Sequence, residues 1–213
     1  MSLLHKLEWR YATKKFDPTK DVPEEQVTEL LKAMNLSASS YGLQPYEFIV
    51  VKDKDLQARL REAAFDQSQL TDASHVIVIA ARKTTTPKDI RAYIENIARI
   101  RDMDVSLLSD FEASMNQALA AKSLDEQLAW ATNQAFISLG TLLLAAADFK
   151  IDVCPMGGFE PDRYDEILGL KDRGLHAAVI AAIGYRSQED ETQHFKKVRK
   201  HLDDITELRY ENK

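Results

Sequence analysis

Residues 135–147 read Ala-Phe-Ile-Ser-Leu-Gly-Thr-Leu-Leu-Leu-Ala-Ala-Ala, apolar on nearly every side of a helix. A helix of that kind has no face to offer water, so it must be buried in the centre of a domain or in a subunit interface. It ends a long helix expected over 124–149, and the rest of the chain must supply the surface that covers it. With 213 residues, 45% of them hydrophobic, one large domain is long enough to do so. The same content, with a net charge of only −6, excludes global disorder. The single cysteine, Cys154, allows no intrachain disulfide and argues against a cysteine zinc site.

Periodicity places further elements around that helix. Pro23-Glu24-Glu25 opens a helix over 23–36, with Val27, Leu30, Leu31 and Met34 on one face. Residues 37–42, rich in small polar side chains, read as a loop. A strand follows over 46–51, and then a helix over 54–64 that Asp53 can cap. His-Val-Ile-Val-Ile-Ala-Ala at 75–81 reads as a strand buried on both faces. Pro87 opens a helix carrying Ile90, Ile94 and Ile97, whereas 104–122 is helical but weakly periodic, as in an exposed or mobile element. Strands over 151–154 and 177–185 flank a helix near 161–168. Strands and helices mingle without a regular βαβ period and no linker divides them. The expectation is a single α+β domain over 1–213.

The balance of 28 Lys+Arg against 34 Asp+Glu argues against a nucleic-acid binder. No run approaches 18 uninterrupted apolar residues and the N-terminus is too charged for a secretory leader, so no membrane partner and a cytoplasmic location are expected. There is no GxGxxG, no P-loop and no HExxH; neither a Rossmann nucleotide site nor a metal site is expected. Four stretches offer groups that a planar ring or a phosphate needs, while each taken alone also reads as a solvated basic face, a turn, a strand-end loop or a basic tail. Arg10-Tyr11-Ala12-Thr13-Lys14-Lys15-Phe16 places Arg10 and Lys14 on one side of a helix or turn. Residues 37–45 form a hydroxyl-rich loop ending in Gln44-Pro45. Pro155-Met156-Gly157-Gly158-Phe159 offers backbone that something flat can approach closely. Lys197-Val198-Arg199 projects two cations to one side of an extended chain. A phosphate is held by such Arg and Lys prongs.

Taken in order, these stretches, with Asp72-Ala73-Ser74-His75 before the long helix, resemble the nitroreductase family of FMN-dependent NAD(P)H oxidoreductases. The resemblance implies a central, mostly antiparallel sheet flanked by helices in an intertwined homodimer. It implies bound FMN, NADH or NADPH as co-substrate, and flat electron acceptors such as quinones or nitroaromatics, reduced in a ping-pong cycle. Arg10, Lys197 and Arg199 match the prongs on the FMN phosphate, with Tyr11 and Ala12 lining the same stretch. Lys14 matches the cation at the N1–O2 edge, where an ammonium favours the reduced flavin. Ala38, Ser39 and Ser40 match a loop that reaches the flavin of the other subunit, and Pro155, Met156, Gly157 and Gly158 the segment that crosses the N5–O4 edge.

Two features depart from the family pattern. Gly157 stands where a Glu is frequent. Asp66 and Gln69 stand where some members place an Asn and a Lys toward the pyrimidine edge. An ionised Asp66 beside a flavin is unfavourable, so it must be protonated or turned away if it lies there. No side-chain acid or base is assigned, because the cofactor carries the chemistry. Residues 104–122, with Phe111 near the centre, are expected as a lid, and 205–213 as a tail that can wrap the partner subunit. The competing reading is a flavin-binding carrier of the same fold that does not turn over.

Overall fold

The long apolar helix forms over Leu124–Phe149, and its two ends follow from local sequence. At its start Ser123 Oγ accepts the Glu126 N–H at 3.3 Å while the Glu126 carboxylate accepts the Ser123 N–H at 2.7 Å. It stops at Lys150, whose φ of +60° turns the chain out of the helix. The computed structural model describes residues 2–210. Along them run α1 (Leu3–Trp9), α2 (Glu24–Asn35), β1 (Tyr46–Val51), α3 (Lys54–Glu62), α4 (Gln69–Asp72), β2 (His75–Arg82), α5 (Pro87–Arg101), α6 (Ser109–Ala120), α7 (Leu124–Phe149), β3 (Asp152–Met156), α8 (Pro161–Ile167) and β4 (Leu175–Gly184). The expected α+β class is what forms. The short α1 and α4 were not foreseen; both are too short for periodicity to mark.

The four strands make one antiparallel sheet in the order β1-β2-β4-β3. β2 and β4 occupy its centre, which explains the unbroken apolar run at 75–81. Alternate residues of β2 feed different cores. Val76, Val78 and Ala80 pack with Leu60, Leu70 and Tyr164 from α3, α4 and α8. Ile77 and Ile79 pack on the other side with Leu30 and Met34 of α2 and Leu139 and Leu142 of α7. β3 lies at an edge, where Pro155 costs no ladder bond in the middle of a sheet.

α7 is long and apolar enough to cross a membrane by length and composition, yet Ala135, Leu139, Leu142 and Ala146 pack into the core. Its opposite side is not covered: Phe136 and Ile137 are 47% and 46% exposed, and Leu144 40%. Among the described residues, burial of the helix on all sides is therefore not achieved. The weakly periodic stretch 104–122 resolves into a short 3-10 turn and α6, which buries Met115 and Leu119 against Ile90, Ile94 and Ile97 of α5. Beyond Ile205 the described part of the tail is exposed, with Leu208 and Tyr210 open to solvent; 211–213 lie outside the described residues.

Candidate functional site

The segment 10–16 leaves α1 extended through 10–13 and bends at Lys14 and Lys15, so it forms no helix. Ala12 bridges Val153 in parallel and Phe16 bridges Arg186, so edge strand β3 sets its conformation. Arg10, Tyr11, Ala12 and Lys14 all border the same cleft, so Arg10 and Lys14 come together without a helical turn. Its flank is clamped by Arg186, held on the buried Asp152 by bonds of 2.6 and 2.9 Å. The Arg186 guanidinium carbon sits 4.4 Å from the Trp9 ring centroid and 4.6 Å from that of Tyr11.

Asp190, which nothing in the local sequence singles out, joins this segment to the C-terminal loop. It is 1% exposed. Its Oδ2 accepts the Lys14 N–H at 2.8 Å, the Lys15 N–H at 3.1 Å and the Tyr11 hydroxyl at 2.8 Å, and its Oδ1 accepts the Thr192 N–H. Burial pushes the carboxyl up, but the bonds from Thr192, Lys14, Lys15 and Tyr11 outweigh it and leave its pKa at about 2. The Tyr11 phenol moves the opposite way, raised first by burial and then by Asp190.

Between the two segments lies an open cleft of about 340 Å³ lined by Trp9, Arg10, Tyr11, Ala12, Lys14, Phe195, Lys196, Lys197 and Arg199 among others. Lys197 Nζ donates to the Leu7 carbonyl at 2.5 Å and to that of Arg10, which covers the carbonyl end of α1. Burial lowers the Arg10 and Lys197 pKa values, and repulsion from neighbouring cations, Arg199 for both, lowers them further. Cations crowded enough to destabilise one another are matched to a dianion such as a phosphate monoester.

β3 runs on from the same neighbourhood into Gly157 and Gly158. The field of Lys14 reaches Cys154: burial raises that thiol's pKa and Lys14 draws it back. A Cβ on Gly157 would meet nothing within 4 Å, so that backbone faces open space. Gly158 instead gives its carbonyl to Gln67 Nε2 at 2.7 Å. Asp66 is turned onto Arg61, whose Nε lies 2.7 Å from its carboxylate.

The loop with Ala38, Ser39 and Ser40 does not line this cleft. Ser40 N–H donates to Gln134 Oε1 on α7 at 2.8 Å, and Ser39 Oγ accepts the Gln44 N–H at 3.1 Å. Tyr93 of α5 donates to the Tyr41 carbonyl at 2.7 Å, and the Tyr41 ring lies 6.3 Å from that of Phe111 on α6. One possible ion-binding group occurs among the described residues, Asp162, Asp165 and His176, which the sequence did not mark. The buried Asp165 already accepts the Ala177 N–H and sits 2.8 Å from His176 Nδ1, which braces β4.

Comparison with known proteins matches residues 7–185 to the model of the nitroreductase family. A Staphylococcus epidermidis protein provisionally named an NAD(P)H nitroreductase is 34% identical, over 96% of this chain and 95% of the relative. Bacillus subtilis YfkO, with the same provisional name, is 35% identical over 88% of this chain and 90% of its own. A solved structure from Exiguobacterium sibiricum, provisionally described as a nitroreductase in complex with FMN, superposes with a TM-score of 0.87 at 18% identity. That superposition covers 98% of both chains.

Proposed function

The chain belongs to the nitroreductase family, and from that premise we propose that it is an FMN-dependent oxidoreductase that uses NAD(P)H to reduce flat electrophiles such as quinones or nitroaromatics. The observation that carries this is the convergence of Arg10, Lys14, Lys197 and Arg199, from opposite ends of the chain, on one cleft. That donor set fits FMN. Arg10 and Arg199, with Lys197, would hold its phosphate; Lys14 would face its pyrimidine edge; the N–H groups of Gly157 and Gly158 would meet its other edge. The chemistry that bound FMN would supply there is two-electron transfer from NAD(P)H to an acceptor, in a ping-pong cycle.

The chain's own residues bind and orient. Asp190 fixes the Lys14 backbone and thereby the place from which its ammonium acts. Arg186 and Asp152 hold the Trp9–Tyr11 wall. No side chain is assigned as acid or base, since the cleft is open and solvent supplies protons. We read the uncovered face of α7 as a homodimer interface, through which residues 38–40 reach the partner's cleft. α6 with Phe111 acts as a lid, and the cytoplasm is the expected location.

The test is the visible spectrum of the purified protein, followed by anaerobic addition of NADH and of NADPH. A flavin spectrum bleached by a nicotinamide is the expected result. A colourless protein that takes up no added FMN overturns the reading, and a coloured one that neither nicotinamide bleaches identifies a flavin carrier instead.

A further inference from the structure

The turn before α4 carries an unusual backbone. Phe65 and Asp66 have φ of +52° and +56°, two consecutive non-glycine residues in the left-handed region. Asp66 is held there by Arg61, which donates from Nε to both its carboxylate and its carbonyl. The outcome of the turn is the position of the next side chain: Gln67 Nε2 donates to the Ala64 carbonyl at 2.9 Å and to the Gly158 carbonyl at 2.7 Å.

This bond belongs to a larger seam. The last carbonyls of α3 have no partner within the helix. Leu60 gives its carbonyl to the Tyr164 hydroxyl and Ala63 its carbonyl to the Glu160 N–H. Every member except Gln67 joins α3 to the stretch after Gly158. Among the described residues Gln67 is the seam member that reaches back to the glycine pair, at Gly158, next to Gly157 with open space beside it.

We propose that Gln67 is a positioning residue for the flavin: by holding the Gly158 carbonyl it fixes the Gly157–Gly158 backbone that meets the ring edge. The inference rests on the flavin reading above. Glycine backbone without such a clamp samples many conformations, and ordering it would then fall on cofactor binding.

The experiment compares wild type, Gln67→Ala and Gln67→Glu. FMN affinity is titrated by flavin fluorescence at about pH 8 and about pH 5, where a glutamate begins to regain its proton. Amide exchange at 157–159 is followed without FMN. Gln67→Ala should weaken FMN by about threefold to tenfold, the loss of one hydrogen bond, and speed exchange at 157–159. Gln67→Glu should be weaker still at the higher pH, because an ionised carboxylate cannot donate and repels both carbonyls. Its deficit relative to wild type should narrow at the lower pH, as a protonated carboxyl donates again. Folded variants with wild-type affinity, a Gln67→Glu deficit indifferent to pH, or unchanged exchange overturn the inference. A wild type that binds no FMN, with exchange still faster in Gln67→Ala, overturns the flavin reading and leaves the clamp standing.

Discussion

Asp190 Oδ2 lies 2.8 Å from the backbone nitrogen of Lys14, so a buried carboxylate near the C-terminus holds the peptide from which a cleft lysine projects. The bond spans 176 residues of sequence. It makes the positive cleft a product of both ends of the chain.

Replacing Asp190 by Asn removes the charge from this set of bonds and should destabilise the fold by about 2 kcal/mol at neutral pH. The carboxyl's folded-state pKa of about 2 lies below its ordinary 3.8, so its contribution is present above the ordinary value and is lost as pH falls through the folded one. Denaturant titrations of wild type and Asp190→Asn should thus converge between about pH 4 and pH 2. A difference undiminished at about pH 2 would contradict the assignment.

Lys197 and Arg199 should separate on substitution. Arg199→Ala removes a cation from the cleft and also relieves Arg10 and Lys197 of repulsion, so FMN affinity should fall about tenfold or more while melting temperature holds or rises. Lys197→Ala also uncovers the Leu7 and Arg10 carbonyls at the end of α1 and should lower both affinity and stability. Flavin fluorescence titration and thermal melts distinguish the two.

Gly42 anchors the loop that carries Ser39. Its φ is +76°, and a Cβ there would lie 2.3 Å from the Tyr93 hydroxyl. Gly42→Ala should cost about 1–2 kcal/mol from backbone strain alone, and more from the collision. Removing the hydroxyl with Tyr93→Phe should recover part of the second cost, a coupling that a double-mutant cycle measures.

Phe111 meets the same loop through Tyr41. Phe111→Ala should change acceptor preference, read as the ratio of kcat/KM for a quinone and a nitroaromatic, with FMN still bound. Loss of FMN would count against a lid.

The exposed apolar side of α7 should fail when charged. Ile137→Asp, with Ile137 46% exposed in one chain, should turn a dimer into a monomer in sedimentation velocity and weaken FMN binding with it. A wild type that sediments as a monomer with flavin bound would remove the interface.

Sequence alone determined the elements whose signals are local. The helix over 124–149 and the strand over 46–51 form at those residues because apolar period, a capping box and β-branched runs act within a few residues. Arg10 and Lys14 do border one cleft, though through a chain tied to Val153 at Ala12 and bent at Lys14 rather than through a helical turn. Tertiary structure decided the rest. Whether Asp190 is a loop acid or a buried clamp depends on partners at Tyr11, Lys14 and Lys15. Whether Asp66 faces a ligand or Arg61 depends on two left-handed residues that no local preference requires. Which half of α7 stays uncovered depends on where the sheet and α2 sit, because hydrophobic burial has magnitude but no direction until the fold supplies one.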